Sequence, residues 1–163
     1  MTTVKKLRLL LWEECNRTCP YCVNQQWDLS ALPKCRDFNG FDEVMLTGGE
    51  PMLHPERVLD VIRYIRKTAL AKIYVYTANV YDPLMALQVL AAADGITVTL
   101  HEPCDVSPFQ LFAQATETFD RSKRVVVGPD VFLPSIPVGW LEKRIERFVL
   151  DCPLPQGETF RRW

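Results

Sequence analysis

No apolar stretch of the chain approaches the roughly 20 residues a helix needs to cross a bilayer, which excludes a transmembrane helix of ordinary kind. Neither charge is in surplus, with 19 Lys plus Arg against 20 Asp plus Glu and a formal net charge of −1. A dedicated nucleic-acid binder carries a clear basic excess, so that class is disfavoured, although a local basic patch stays open. Low-complexity segments and interdomain linkers are absent. The basic start (Lys5, Lys6, Arg8) leads into no apolar segment of signal-peptide length, and a cytoplasmic location is expected. A hydrophobic share of 48% excludes a wholly disordered chain. At 163 residues the chain reads as one domain, with a core over 5–150 and an irregular tail over 151–163.

What the sequence does hold is cysteine. Six are present; Cys15, Cys19 and Cys22 crowd into eight residues, while Cys35, Cys104 and Cys152 are scattered. Disulfides would suit a small secreted domain, but this chain is long enough to build its own core. A thiol cluster in a reducing compartment reads as a metal-ligand set. A cubane iron–sulfur cluster normally takes a thiolate on each iron, so three cysteines leave one iron open. The alternative on the same residues is a four-coordinate zinc site completed by Cys35 or His54.

Elsewhere the pattern alternates between strand and helix. Strands are expected over 6–12, 43–47, 72–77, 95–100 and 124–128, from apolar or β-branched runs. Val58, Ile62, Ile65 and Ala69 recur at helical spacing. Asp82–Pro83 and Ser107–Pro108 each pair a capping side chain with a proline suited to a first helical turn. A last amphipathic helix is expected to carry Leu141, Ile145, Phe148 and Val149 on one side. The fold class is therefore α/β: a partial, open β/α barrel of about five to six parallel strands with outer helices. Closing an eightfold barrel takes on the order of 200 residues or more, so a wide lateral opening is expected.

The run Cys15-Asn16-Arg17-Thr18-Cys19-Pro20-Tyr21-Cys22 resembles the cluster motif of the radical S-adenosylmethionine (radical SAM) superfamily. Gly48-Gly49-Glu50-Pro51, just after the second expected strand, is similar to that family's Gly-Gly-Glu motif. The resemblance implies a 4Fe–4S cluster on Cys15, Cys19 and Cys22 whose unique iron chelates S-adenosylmethionine. It implies that Gly48, Gly49 and Glu50 meet the methionine amino group and that Tyr21 lies by the adenine. Thr77 and Asn79 would then meet the carboxylate or ribose. One electron from the reduced cluster would cleave the sulfonium to give a 5′-deoxyadenosyl radical that abstracts hydrogen. An external donor of flavodoxin or ferredoxin type is implied as partner. The short length and Tyr76–Thr77 resemble activating enzymes of anaerobic ribonucleotide reductases, which implies a protein substrate or a covering partner. A nucleotide or purine-like metabolite is the second reading, and a non-catalytic zinc or iron–sulfur module the third.

The residues themselves add physical expectations. Gly48 and Gly49 let backbone approach a ligand without a β-carbon in the way. Arg17, beside the thiols, is expected to favour thiolate. Cys35, Cys104 and Cys152 read as small apolar residues rather than an auxiliary cluster. His101 and Glu102 follow the fourth strand, where they could reach the site or simply form a turn.

Overall fold

A computed structural model describes residues 2–148 and 154–163 of the chain. Its centre is a seven-stranded, all-parallel sheet in the order β6-β5-β4-β3-β2-β1-β7, the arrangement of a partial β/α barrel. The strands are β1 (Lys6–Leu10), β2 (Glu43–Thr47), β3 (Lys72–Thr77), β4 (Gly95–Leu100), β5 (Ser122–Val127), β6 (Leu141–Arg144) and β7 (Glu158–Arg162). Helices α1 (Pro55–Thr68), α2 (Pro83–Ala92) and α3 (Val106–Ala115) link β2 through β5. Right-handed crossovers set all three against one face. Among the described residues, no helix is long and apolar enough to cross a membrane.

Strand alternation divides the side chains between two faces. Leu7, Leu9, Val44, Leu46, Ile73, Val75, Val98, Val125 and Val127 are buried in the main core with the helices. From α1 the stripe Val58, Val61, Ile62 and Ile65 joins them. The helix begins at Pro55, carries Glu56 in its first turn and Arg66 and Lys67 in its last, charges that suit its dipole. Asp82 caps α2 as expected, accepting from the Met85 amide at 3.1 Å. The opposite, open face carries Lys6, Arg8, Tyr74, Tyr76, Thr97, Thr99, Arg124 and Lys143, the alternate residues of the same strands.

Three expectations are corrected. Helix α3 starts at Val106 with Asp105 at its N-cap, so Ser107 and Pro108 lie inside the first turn, where proline's missing N–H has no partner to lose. The residues 141–144 form β6, not a helix: they pair with β5 from Arg124↔Leu141 to Val127↔Arg144. The apolar spacing of Leu141, Ile145 and Phe148 imitates a helical stripe, but Leu141–Arg144 make their backbone bonds to β5; Val149 lies outside the described residues. Third, the tail carries a strand where an irregular course was expected. Glu158–Arg162 pairs in parallel with β1, from Lys6↔Glu158 to Leu10↔Arg162, which brings the sheet to seven strands.

That last strand is anchored on both sides. On the open face Phe160 is buried with Leu10 and Leu32, and Glu158 pairs with Arg8 at 3.0 Å. On the helix side Trp163 stacks on Phe38, centroids 6.1 Å apart, and meets Tyr64 edge-on at 5.3 Å. The Arg36 guanidinium lies 3.7 Å from the Trp163 ring centroid. Strands β6 and β7 occupy the two opposite edges of the sheet.

Candidate metal centre

The three cysteines lie in the loop that leaves the carboxyl end of β1, the edge at which parallel α/β sheets gather ligands. Cys19 and Cys22 are half-buried and Cys15 is exposed. The loop turns on itself through the Cys22 amide, which donates to the Cys19 carbonyl at 3.2 Å. Burial pushes the Cys19 thiol above its usual range, and the Cys22 and Cys15 thiols push it further. Arg17 pulls the other way without offsetting them, so the thiolate-favouring effect expected of Arg17 is present but outweighed.

The Gly48–Glu50 turn is packed directly under this loop. Gly49 N–H donates to the Trp12 carbonyl and Glu50 N–H to that of Glu14, both at 2.8 Å. A β-carbon on Gly48 would stand 2.8 Å from the Trp12 carbonyl oxygen; one on Gly49 would overlap the carbonyls of Glu13 and Glu14. The two glycines are thus required by the close approach of the chain's own backbone, a reason different from the ligand approach anticipated. On the far side of the loop the Asn24 side chain donates to the Gly48 carbonyl at 2.9 Å.

Glu50 is 2% exposed. Its carboxylate accepts from the Thr77 hydroxyl, from Ala78 N–H and from Met52 N–H, the last two at 2.9 Å. Burial nevertheless holds its pKa above the usual carboxylate range, outweighing these bonds and the Arg17 charge. Thr77 also accepts from Asn79 N–H at 2.9 Å. Glu50 and Thr77 therefore lock β2 to β3 by side chain. Asn79 lines a cavity of about 300 Å³ with Met52, Pro55, Tyr81, Asp82 and Met85.

Tyr21, 47% exposed, stacks on Phe148 with centroids 5.9 Å apart, and Phe148 stacks on His101 at 5.6 Å. Burial, and secondarily Arg17, hold the His101 imidazole below its usual pKa. Glu102 is exposed. The sequence reading missed Phe148 as a site residue, having placed it on a helix, and missed Asp105 altogether.

The donor set fits a cubane cluster. Three soft thiols share one loop, and soft thiolates suit iron. Among the described residues, no three His, Cys, Asp or Glu side chains, the three cysteines included, converge on a single ion position. His54 is held by Glu14 at 2.6 Å, and the Cys35 thiol faces the Asp37 carbonyl at 3.2 Å. Cys104 follows β4, four strand positions from β7 beside Cys35; Cys152 lies outside the described residues.

Residues 6–107 match the family described as 4Fe-4S single cluster domain, a span that includes the cysteine loop, the Gly-Gly-Glu turn and the Thr77–Asn79 strand end. The chain belongs to this family, within the radical SAM superfamily. The cofactors this membership implies are a 4Fe–4S cluster and S-adenosylmethionine. Among relatives, a GTP 3′,8-cyclase of Microcystis aeruginosa is 31% identical over 118 residues, covering 61% of this chain and 35% of that protein. A GTP 3′,8-cyclase of Acaryochloris marina is 33% identical over 101 residues, 52% of this chain and 30% of that one. Human molybdenum cofactor biosynthesis protein 1 is 28% identical over 74 residues, 37% of this chain and 12% of that one. The chain spans about a third of the length of the first of these relatives. No solved structure matches. The resemblance to activating enzymes of anaerobic ribonucleotide reductases is not confirmed by these relatives.

Proposed function

We propose that the protein is a radical SAM enzyme acting on a purine nucleotide, with its 4Fe–4S cluster on Cys15, Cys19 and Cys22. The observation that carries the reading is the packing of the three-cysteine loop onto the Gly48–Gly49–Glu50 turn, closed by the two 2.8 Å backbone bonds from Gly49 and Glu50. When bound, the reduced cluster supplies the electron that cleaves the S-adenosylmethionine sulfonium and starts hydrogen abstraction. The chain's own residues hold and orient. Gly49 and Glu50 set the height of the cysteine loop, Glu50 and Thr77 fix the turn beneath it, and Tyr21 offers a flat face for a base. A flavodoxin- or ferredoxin-like protein would deliver the electron.

Two observations support a nucleotide over a protein substrate. Relatives in two organisms carry the name GTP 3′,8-cyclase. The open face of the sheet carries Lys6, Arg8, Lys72, Arg124, Lys143 and Arg162 beside the apolar Leu10, Met45 and Phe160. Lys6 and Arg8 are paired with Glu43 and Glu158, each at 3.0 Å. Arg124 and Lys143, on neighbouring strands, have no ion-pair partner among the described residues and suit a phosphate-bearing ligand.

The test is anaerobic reconstitution followed by dithionite, S-adenosylmethionine and ribose-deuterated GTP. Deuterium recovered in 5′-deoxyadenosine supports the full reading. Unlabelled 5′-deoxyadenosine at a rate indifferent to nucleotides keeps the reaction class and removes the substrate. A fully loaded cluster that releases no 5′-deoxyadenosine overturns both.

A further inference from the structure

We infer that Asp105 is a positioning residue for the cysteine loop, acting through Arg17. The inference rests on reading Cys15, Cys19 and Cys22 as the cluster ligands. Arg17 stands two residues from Cys15 and two from Cys19. Its guanidinium forks onto both oxygens of Asp105, with Nη1 3.0 Å from Oδ2 and Nη2 on Oδ1. Nη2 also donates to the Ala78 carbonyl at 3.3 Å. Among the described residues between Cys15 and Cys22, Arg17 alone has a side chain hydrogen-bonded outside the loop.

Asp105 is 3% exposed and acts as a hub. Oδ2 accepts from the backbone N–H of His101 at 2.9 Å and of Glu102 at 3.0 Å. Oδ1 accepts from the Tyr81 hydroxyl at 3.1 Å. One buried carboxylate thereby ties the cysteine loop, the segment after β3 and the end of β4 to a common point. A two-pronged guanidinium–carboxylate bond fixes direction as well as distance. Groups behind metal ligands commonly orient them, and their loss weakens metal retention by about 10–100-fold.

The pair is also poorly arranged for stability alone. Arg17 Nε is buried with no acceptor among the described residues. Buried ion pairs often add little net stability, and an orphaned N–H subtracts from it. Positioning gives this clasp, which spans 88 residues of sequence, a role beyond its share in stability.

The test removes the clasp while keeping the bonds that Asp105 accepts from the His101 and Glu102 amides. In the paired variant Arg17→Met with Asp105→Asn, the remaining carboxamide oxygen still accepts from His101 and Glu102, and no charge is left unpaired. Apo-protein thermal unfolding, iron retained against a chelator after anaerobic reconstitution, and the cluster's reduction potential are measured together. The expectation is unfolding close to wild type with iron retention reduced about 10–100-fold and a shifted potential. The paired variant should be no worse than either single one, because both remove the same clasp. Arg17→Lys, which keeps the charge and loses the fork, should fold and fall between. Wild-type retention and potential in the paired variant, or in Arg17→Lys should the paired variant not fold, overturn the inference alone. A wild-type chain that takes up no iron overturns the ligand reading as well.

Discussion

The carbonyl oxygen of Glu14 occupies the space that a β-carbon on Gly49 would need. Two stretches of backbone, one leaving β1 and one leaving β2, meet there with no room for a side chain, and Glu50 N–H closes the contact by donating to Glu14 at 2.8 Å. Neighbouring backbone cannot move aside as a side-chain tip can. Cys15 is the next residue along, so the contact sets where the first thiol stands.

Gly49→Ala is therefore expected to lose cluster uptake and about 1–3 kcal/mol of stability, the range for overpacking a fitted site. Gly40→Ala is the control: no atom lies within 4 Å of its β-carbon, and its φ of +91° alone is strained. It should lose about 1–2 kcal/mol and keep its iron. Iron content beside urea unfolding separates the two.

Thr77→Val removes a hydroxyl from a buried carboxylate and should cost about 1–3 kcal/mol at neutral pH. Burial raises the Glu50 pKa, so its charged form is the costly one and stability from its protonated form is lost as pH rises through the folded value. Thr77 supports that charged form. The deficit of the variant should thus be smaller at pH 4 than at pH 7; an equal deficit at both would remove Thr77 from this role.

Asp105 follows the opposite sign. Burial acts to raise its pKa, but Arg17 and the amides of Glu102 and His101 outweigh burial and bring it below the usual 3.8. Its contribution is complete above that value and is lost as pH falls through the folded pKa. The stability gap between wild type and Asp105→Asn, read by denaturant unfolding of the apo-protein, should narrow steadily below about pH 4. A gap that widens would contradict the assignment.

His101 offers a spectroscopic check on the aromatic stack. Its imidazole is held below 6.5 chiefly by burial, and Phe148 covers one face at 5.6 Å. Phe148→Ala should return the value toward 6.5 in an NMR titration, while Tyr21→Leu, one ring further out, should move it less.

Trp163→Ala should cost about 2 kcal/mol, since it deletes two aromatic contacts and a cation–π contact at once. Residues 158–163 should then become more open to proteolysis than 6–10, because β7 is an edge strand that, among the described residues, pairs along its length with β1 and on its outer side has the single Lys34↔Arg162 bridge. A fully wild-type melting curve would show that the tail is not anchored there.

The sequence by itself determined the cysteine spacing, the glycine turn after β2, the first five strands, the apolar stripe of α1 and the Asp82 cap of α2. Each of these is encoded within a few consecutive residues, by alternation, helical period or a capping side chain. Only the tertiary structure decided the rest. Leu141–Arg144 and Glu158–Arg162 look charged and unremarkable alone, and become strands because β5 and β1 offer unpaired backbone at the two edges of the sheet. Arg17 and Asp105 stand 88 residues apart, and nothing local in either announces the other. They meet because parallel strands deliver their carboxyl ends to one edge, and residues distant in the chain acquire chemistry there that neither has alone.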